Sequence, residues 1–522
     1  MNAAPGNEMP IERLESRGYF EKPRSLTNAK IAFAIGVILV AAFIGIFDHD
    51  LWGPDEPRTA EIGREFLEKG NSPAIPRLNR EPFMEQPPPY YWCLAITYKI
   101  FGGHGDHVAR IPSVLFGLLT VLITFMFARK LFGVEVAAGS AIILSLTYEY
   151  FIVMHRCITD PCLVFFVTLS FFFLHGAIHG KGRAKLLYYV LYYLAAVGAV
   201  FSKGLVGLAF SAVFFAFWVV WTRSWKEILR AQPWLGILII GSLLGAWLYF
   251  LGTRGSLDYV KTFLIDNNLL RFVPSAGAYY GSHVNPFYFY ALTFWTAFIP
   301  WSVFTPAVFV FAWRARKTDA NRLFFLLWLA SAFLLLSAAG TKRQVYLAPL
   351  APAFAVLVAL YFRDLRYGAK GGLARLFEII FLAMALSSPA VYTVLAAQAH
   401  MCKSPLFIVF FVLLAAQMTI FLFHYRRRRA FSVAAIAAYS FVGFIAFAAT
   451  FFTRYNAEES YRPTSLAIKK ILDAEKGAVL YAAAPSEISR GSIPFYTGYY
   501  MVPIWNMGAS VAGDCCPSRI AT

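Results

Sequence analysis

What most constrains this chain is the length of its apolar runs. They recur as blocks of about 17 to 25 residues, the length a helix needs to cross a bilayer, and short clusters of Arg and Lys separate them. Inside a hydrocarbon layer every backbone amide needs a partner within its own segment, so such blocks fold as helices. About thirteen spans are predicted, centred near Val40, Leu119, Leu144, Thr168, Leu194, Phe214, Ile240, Phe298, Trp328, Val356, Met384, Val412 and Tyr439. Composition supports an α-helical polytopic membrane protein, because 59% of the 522 residues are hydrophobic and 17% aromatic, with mean hydropathy +0.57. The net charge of +18 does not indicate nucleic-acid binding, since the basic residues punctuate the apolar blocks, where they set topology.

The basic clusters give the direction. Arg13, Arg17, Lys22, Arg24 and Lys30 precede the first span and place residues 1–30 in the cytoplasm. Arg129-Lys130, Lys181/Arg183/Lys185, Arg223/Lys226/Arg230, Arg314/Arg316/Lys317/Arg322, Arg363/Arg366/Lys370/Arg375 and Arg426–Arg429 then fall on the same side. The N-terminal segment is too polar, and too far from its apolar run, for a cleaved signal peptide. A transmembrane body over residues 31–452 is expected, followed by a small outer αβ segment over 453–522. Four pieces reach the outer face: the polar loop 48–107, the turn His155–Asp160, the loop 252–286 and the turn Ala339–Gln344.

The outer loop after span one carries the densest chemistry. Asp55 and Glu56 follow the turn-forming pair Gly53-Pro54, Arg58 comes three residues after Asp55, and Glu85 precedes Gln86-Pro87-Pro88-Pro89-Tyr90. A carboxylate there can take a proton from an acceptor hydroxyl or hold a polar substrate against a cation; a solvated helix start, where the dipole favours acids, is the plainer alternative. Asp160, before Pro161 at the start of span four, is a second acid at the same face and has the same capping alternative. Arg58, Lys203, Arg271, Lys342 and Arg343 are cations on the side that disfavours them, and a phosphate at headgroup level is a natural partner. For Lys203, snorkelling is the competing explanation. Glu85 and His283 offer two ligands for a divalent metal, zinc or magnesium, although they are far apart in sequence. The six cysteines, at 93, 157, 162, 402, 515 and 516, have no CxxC spacing and read as small apolar residues.

Several short motifs in a fixed order then carry a resemblance. They are Asp55-Glu56, Glu85 before Pro-Pro-x-Tyr-Tyr-Trp, Arg110-x-Pro112, Asp160-Pro161, Lys203-Gly204, Asn268-Leu-Leu-Arg271-Phe272, His283-x-x-Pro286-Phe287, and Lys342 followed by Tyr346-Leu347-x-Pro349-Leu350. Over residues 30 to 455 the chain resembles the type C glycosyltransferases, which use polyprenyl-phosphate sugars, and in particular their bacterial branch acting on lipid A with aminoarabinose. The resemblance implies a helical membrane body with a periplasmic active site in the bacterial inner membrane. It also implies transfer of one sugar from a polyprenyl-phosphate carrier to lipid A, another glycan or a protein, with inversion.

By that resemblance Asp55 is the key catalytic carboxylate, with Glu56 beside it and Asp160 positioning groups in the cavity. Arg58, Lys203 and Arg271 would neutralise the carrier phosphate as negative charge develops on the leaving group, together with Lys342, Arg343 and Tyr346. Glu85 and His283 match a family metal site. Two departures stand out: the family's Lys-Pro-Pro-Leu is Gln86-Pro87-Pro88-Pro89 here, and its Leu-Pro after the later lysine is Arg343-Gln344. Arg343 can replace the charge missing at position 86, which leaves the acceptor open. A flippase for a lipid-linked sugar is the competing class, but transporters keep their ionisable residues near the midplane, often on repeated halves. Here the acids lie in outer loops.

Overall fold

The computed structural model describes residues 28–270, 283–366, 372–398, 405–428, 433–475 and 477–504. Arg271, Cys402, Cys515 and Cys516 lie outside the described residues. The described residues are mostly helical. In order they form α1 (Asn28–Phe43), α2 (Asp55–Glu65), α3 (Pro89–Phe101), α4 (Asp106–Phe132), α5 (Val134–Ser145), α6 (Tyr148–Met154), α7 (Asp160–His179), α8 (Gly182–Lys203), α9 (Val206–Thr222), α10 (Lys226–Arg230) and α11 (Pro233–Arg254). After α12 (Leu257–Lys261) and a π-helical turn come α13 (Phe289–Ala297), α14 (Thr305–Ala315), α15 (Ala320–Ala338), α16 (Ala351–Arg366), α17 (Gly372–Gln398), α18 (Pro405–Arg428) and α19 (Val433–Glu459).

Every predicted span centre except Phe298 falls inside one of these helices. Among the described residues six helices are long and apolar enough to cross a membrane, or eight if each of two bent pairs counts as one span. The bends depart from the straight spans expected near Leu144 and Phe298. Val134–Ser145 and Tyr148–Met154 meet at 68°, and Phe289–Ala297 meets Trp301–Ala315 at 118°. Pro300 lies between the second pair, where its missing N–H and its ring interrupt a helix.

A layer built from the loop 48–107 and the tail packs against the helical body. The loop 48–107 is mostly folded: α2, a tight antiparallel pair β1 (Arg77–Leu78) and β2 (Glu81–Pro82), then α3 behind its proline run. Asn79 and Arg80 make that turn with positive φ, as a two-residue hairpin requires. Trp92, Ile96 and Ile100 form an exposed stripe along α3, the spacing of one helix face.

The tail supplies the rest of the layer. The helix α19 continues through position 452 to Glu459 before α20 (Arg462–Ala474), β3 (Leu480–Ala483), α21 (Glu487–Thr497) and β4 (Met501–Ile504). Strands β3 and β4 pair in parallel, with α21 as their crossover. The Pro-, Gly- and Tyr-containing stretch Glu487–Thr497 is thus helical. The tail is stitched to the loop: Asn79 Nδ2 donates to the Met501 carbonyl at 2.9 Å and Met501 N returns a bond to Asn79 Oδ1 at 2.9 Å. A Cβ on Gly491 would lie 2.5 Å from Arg58 N, so α21 rests on α2 at a distance only glycine allows. Leu51, Ile62, Phe83, Tyr91, Cys157 and Phe495 share one buried cluster that joins the two parts.

Candidate active site

The site begins with a buried joint. Glu56 and Arg110 are both fully buried, and the Glu56 carboxylate accepts from Arg110 Nε at 3.0 Å and Nη2 at 3.1 Å. It also accepts from the backbone amides of Trp52 at 3.0 Å and Cys157 at 2.7 Å. Arg110 donates in turn to the carbonyls of His49 at 2.8 Å and Asp50 at 2.6 Å. One ion pair thus ties the end of span one, α2, α4 and the turn before α7. This placement does not fit the expected catalytic Glu56, because its oxygens are saturated and it does not line the cavity.

Asp55 points the other way. Arg58 Nη2 donates to Oδ1 at 2.9 Å, and Arg343 Nη2 donates to Oδ2 at 2.7 Å. The Arg156 guanidinium stands 4.0 Å from Oδ2. Burial alone would raise the pKa of Asp55, but Arg58, Arg156 and Arg343 outweigh it and hold the carboxyl well below the usual range. Arg58 also pairs with Glu487 of α21.

The second acid begins α7. Lys203 Nζ donates to Asp160 Oδ1 at 2.5 Å and lies 4.6 Å from the centre of the Tyr346 ring, a cation–π contact. Lys203 closes α8 because Gly204 takes φ +84°, and a Cβ there would meet Asn268 Oδ1 at 2.2 Å. That same oxygen accepts from the amide of Leu205 at 2.7 Å. Lys203 is therefore held at the cavity end of α8 rather than snorkelling along a lipid face.

These groups surround a cavity of about 500 Å³ lined by Asp55, Arg58, Glu85, Gln86, Asp160 and His283, with cations Arg156, Lys203 and Arg343, and with Tyr346 and Glu487. A narrower apolar groove, walled by Leu163, Val206, Phe210 and Leu335, shares Lys203, Thr341 and Tyr346 with it. Lys342, expected among the phosphate ligands, is turned away: its ammonium donates to the carbonyls of Asn285 at 2.9 Å and of Ala339. It staples two outer turns together. Arg156 and Glu487 have no motif in the sequence and are brought in by folding alone.

The expected metal ligands fit poorly. Among the described residues no three His, Cys, Asp or Glu converge on an ion. Glu85 and His283 do line one cavity, but a catalytic zinc takes three protein ligands.

The chain, a helical body beside a layer that holds this charged cavity, resembles the type C glycosyltransferases. Residues 85–250 match the family described as dolichyl-phosphate-mannose-protein mannosyltransferase. An undecaprenyl phosphate-α-4-amino-4-deoxy-L-arabinose arabinosyl transferase of Edwardsiella ictaluri is 28% identical over 378 residues, 72% of this chain and 67% of that relative. An uncharacterised Aquifex aeolicus protein is 28% identical over 325 residues, 62% of each chain. A second arabinosyl transferase, from Pseudomonas fluorescens, is 28% identical over 358 residues, 66% of this chain and 62% of its own length. Two of these three relatives are thus matched over less than two thirds of their length. Among solved structures, ArnT from Cupriavidus metallidurans bound to undecaprenyl phosphate has a TM-score of 0.75 at 21% identity, covering 94% of this chain and 88% of that one. That likeness shows the fold.

Proposed function

We propose that this protein is an inverting membrane glycosyltransferase that moves one sugar from a polyprenyl-phosphate carrier to an acceptor at the outer face of a bacterial inner membrane, with lipid A or another lipopolysaccharide component as the acceptor. The observation that carries the reading is the joining of the charged cavity to the apolar groove at Lys203, Thr341 and Tyr346. A lipid-linked sugar has the same division: a polar head with a phosphate, then an apolar tail. Lys203 at the junction meets the phosphate, and Asp160, which accepts from that ammonium, keeps it aimed at the cavity.

As the glycosidic bond breaks, the carrier phosphate gains charge, and fixed cations stabilise it without reorganising. Lys203 and Arg58 supply that charge, with Arg156 on the same wall, while Arg343, expected beside them, is engaged with Asp55; Arg271 joins them by resemblance. Asp55 orients the sugar and acceptor. Because three arginines keep it ionised and weakly basic, it suits an acceptor that is already an anion better than a hydroxyl needing a strong base. That favours a phosphate-bearing acceptor such as lipid A over a protein hydroxyl. Attack on the face opposite the leaving phosphate inverts the sugar carbon.

The thirteen-span arrangement, with the cavity on the periplasmic side, belongs to the same proposal. It is supported by the helices at the predicted centres and by basic clusters at their opposite ends. Mass spectrometry of lipopolysaccharide and membrane proteins, from cells with and without the chain, tests the acceptor. A sugar lost from lipid A supports the proposal; one lost only from protein contradicts it.

A further inference from the structure

Asp55 is gripped from two sides, and the two grips differ in origin. Arg58 is local, one helical turn along α2. Arg343 comes from the turn between α15 and the short 3-10 stretch Gln344–Leu350, where no helix fixes the backbone. A long arginine side chain in such a turn has many rotamers to choose from. Its neighbour restricts the choice. Gln344 Nε2 donates to Glu149 Oε2 at 2.6 Å, and Gln344 Oε1 accepts from Thr296 Oγ1 at 3.3 Å. Glu149 is buried on α6. The Arg343 carbonyl is also held, accepting from Tyr290 Oη at 3.3 Å and from the Tyr346 amide at 3.1 Å. An amide at 344 is suited to this place, because it offers a donor to the carboxylate and an acceptor to the threonine together.

We propose that Arg343 is a positioning residue for Asp55, and that the half-buried hydrogen bond from Gln344 to the buried Glu149 is the lock that places it. The orientation of the carboxylate in the cavity is then set from within the helical body, through α6, as well as from α2. This rests on the proposed transfer reaction, in which Asp55 orients the reacting groups. Loss of the lock leaves the cavity wall standing but frees Arg343, so the effect falls on turnover rather than on carrier binding.

The test uses the full-length protein in lipid nanodiscs. Arg343→Gln, Gln344→Leu and the double variant are compared for sugar transfer from a polyprenyl-phosphate sugar and for the acid titration of Asp55. That titration is read by infrared difference spectroscopy with Asp55→Asn as the blank. Each single change should lower kcat about tenfold or more while donor KM shifts little. The double variant should be no worse than Arg343→Gln alone, because Gln344 acts through Arg343. The groups facing Asp55 are Arg58, Arg156 and Arg343; its titration should move upward in both single variants, most in Arg343→Gln, which also removes the charge. Gln344→Glu sets two carboxylates together and should lower kcat, and adding Glu149→Gln re-forms the bond with its ends exchanged and should restore it. Additive losses, or an Asp55 titration unmoved by Gln344→Leu, would overturn the lock. A wild-type protein that transfers no sugar would instead count against the reaction, and the Asp55 titration would still decide the lock.

Discussion

Asp55 and Glu56 are neighbours with opposite duties because consecutive helical residues point about 100° apart. One faces the cavity and the other faces Arg110 in the interior. A fully buried ion pair that loses one member leaves the other charge without compensation, which costs about 3 to 5 kcal/mol. Glu56→Gln should therefore lower the unfolding temperature in detergent markedly, whereas Asp55→Asn should fold normally and lose transfer. Equal stability of Glu56→Gln and wild type would remove the joint from the account. Asp55 adds its own pH dependence. Its folded pKa is depressed, so its contribution to stability is present above the ordinary carboxylate pKa of about 4 and is lost as pH falls toward the folded value. Wild type should therefore lose stability in acid partly through this one group. Asp55→Asn should correspondingly flatten the acid limb of a stability curve followed by circular dichroism.

At the scale of elements, the helix α21 is the tail's contribution to the site. It brings Glu487 to Arg58 by lying against α2 at Gly491. Gly491→Leu should force the two helices apart at a cost of about 1 to 3 kcal/mol and weaken transfer. The tail should become sensitive to mild proteolysis while the spans stay intact. An undisturbed tail would mean that the close approach is not needed. What could be read in the sequence here was local. Asp55, Asp160 and Lys203 each stand at a helix end beside a proline or glycine, and that punctuation marks them in the residue pattern itself. Glu487, Arg156 and the Glu149–Gln344 bond were not legible, because each depends on contacts between segments distant in sequence. Lys342 misled for a related reason: a cation on the outer side invites a phosphate, but the two carbonyls that hold it leave no mark among the residue types. The α21 helix was hidden by its own composition, since Pro494, Gly491 and the following Gly498 look like turn residues when read alone.

At the scale of the whole molecule, the apolar blocks gave away the helical body, since a segment that must satisfy its own backbone in lipid has few choices. The bends near Thr147 and Pro300 were the exception, because hydropathy averages over a break that dihedral angles feel. Topology can be tested directly. Single cysteines near Asn79 and Ser486 should react with an impermeant maleimide added outside, and those near Arg183, Lys317 and Arg427 should not. Outside labelling at Arg427 would overturn the orientation.

The central claim is that the cavity cleaves a lipid-linked sugar, and cleavage of a defined donor tests it most directly. Purified wild-type protein and Asp55→Asn, at matched amounts in nanodiscs, are given a polyprenyl-phosphate sugar and lipid A, and free polyprenyl phosphate is measured over time. Wild type should release it only when the acceptor is present. Asp55→Asn should bind the donor equally and release at least about a hundredfold less, the scale expected for loss of an acid–base or orienting carboxylate. Equal release by the two proteins, or movement of intact donor across the bilayer without release, would contradict the account.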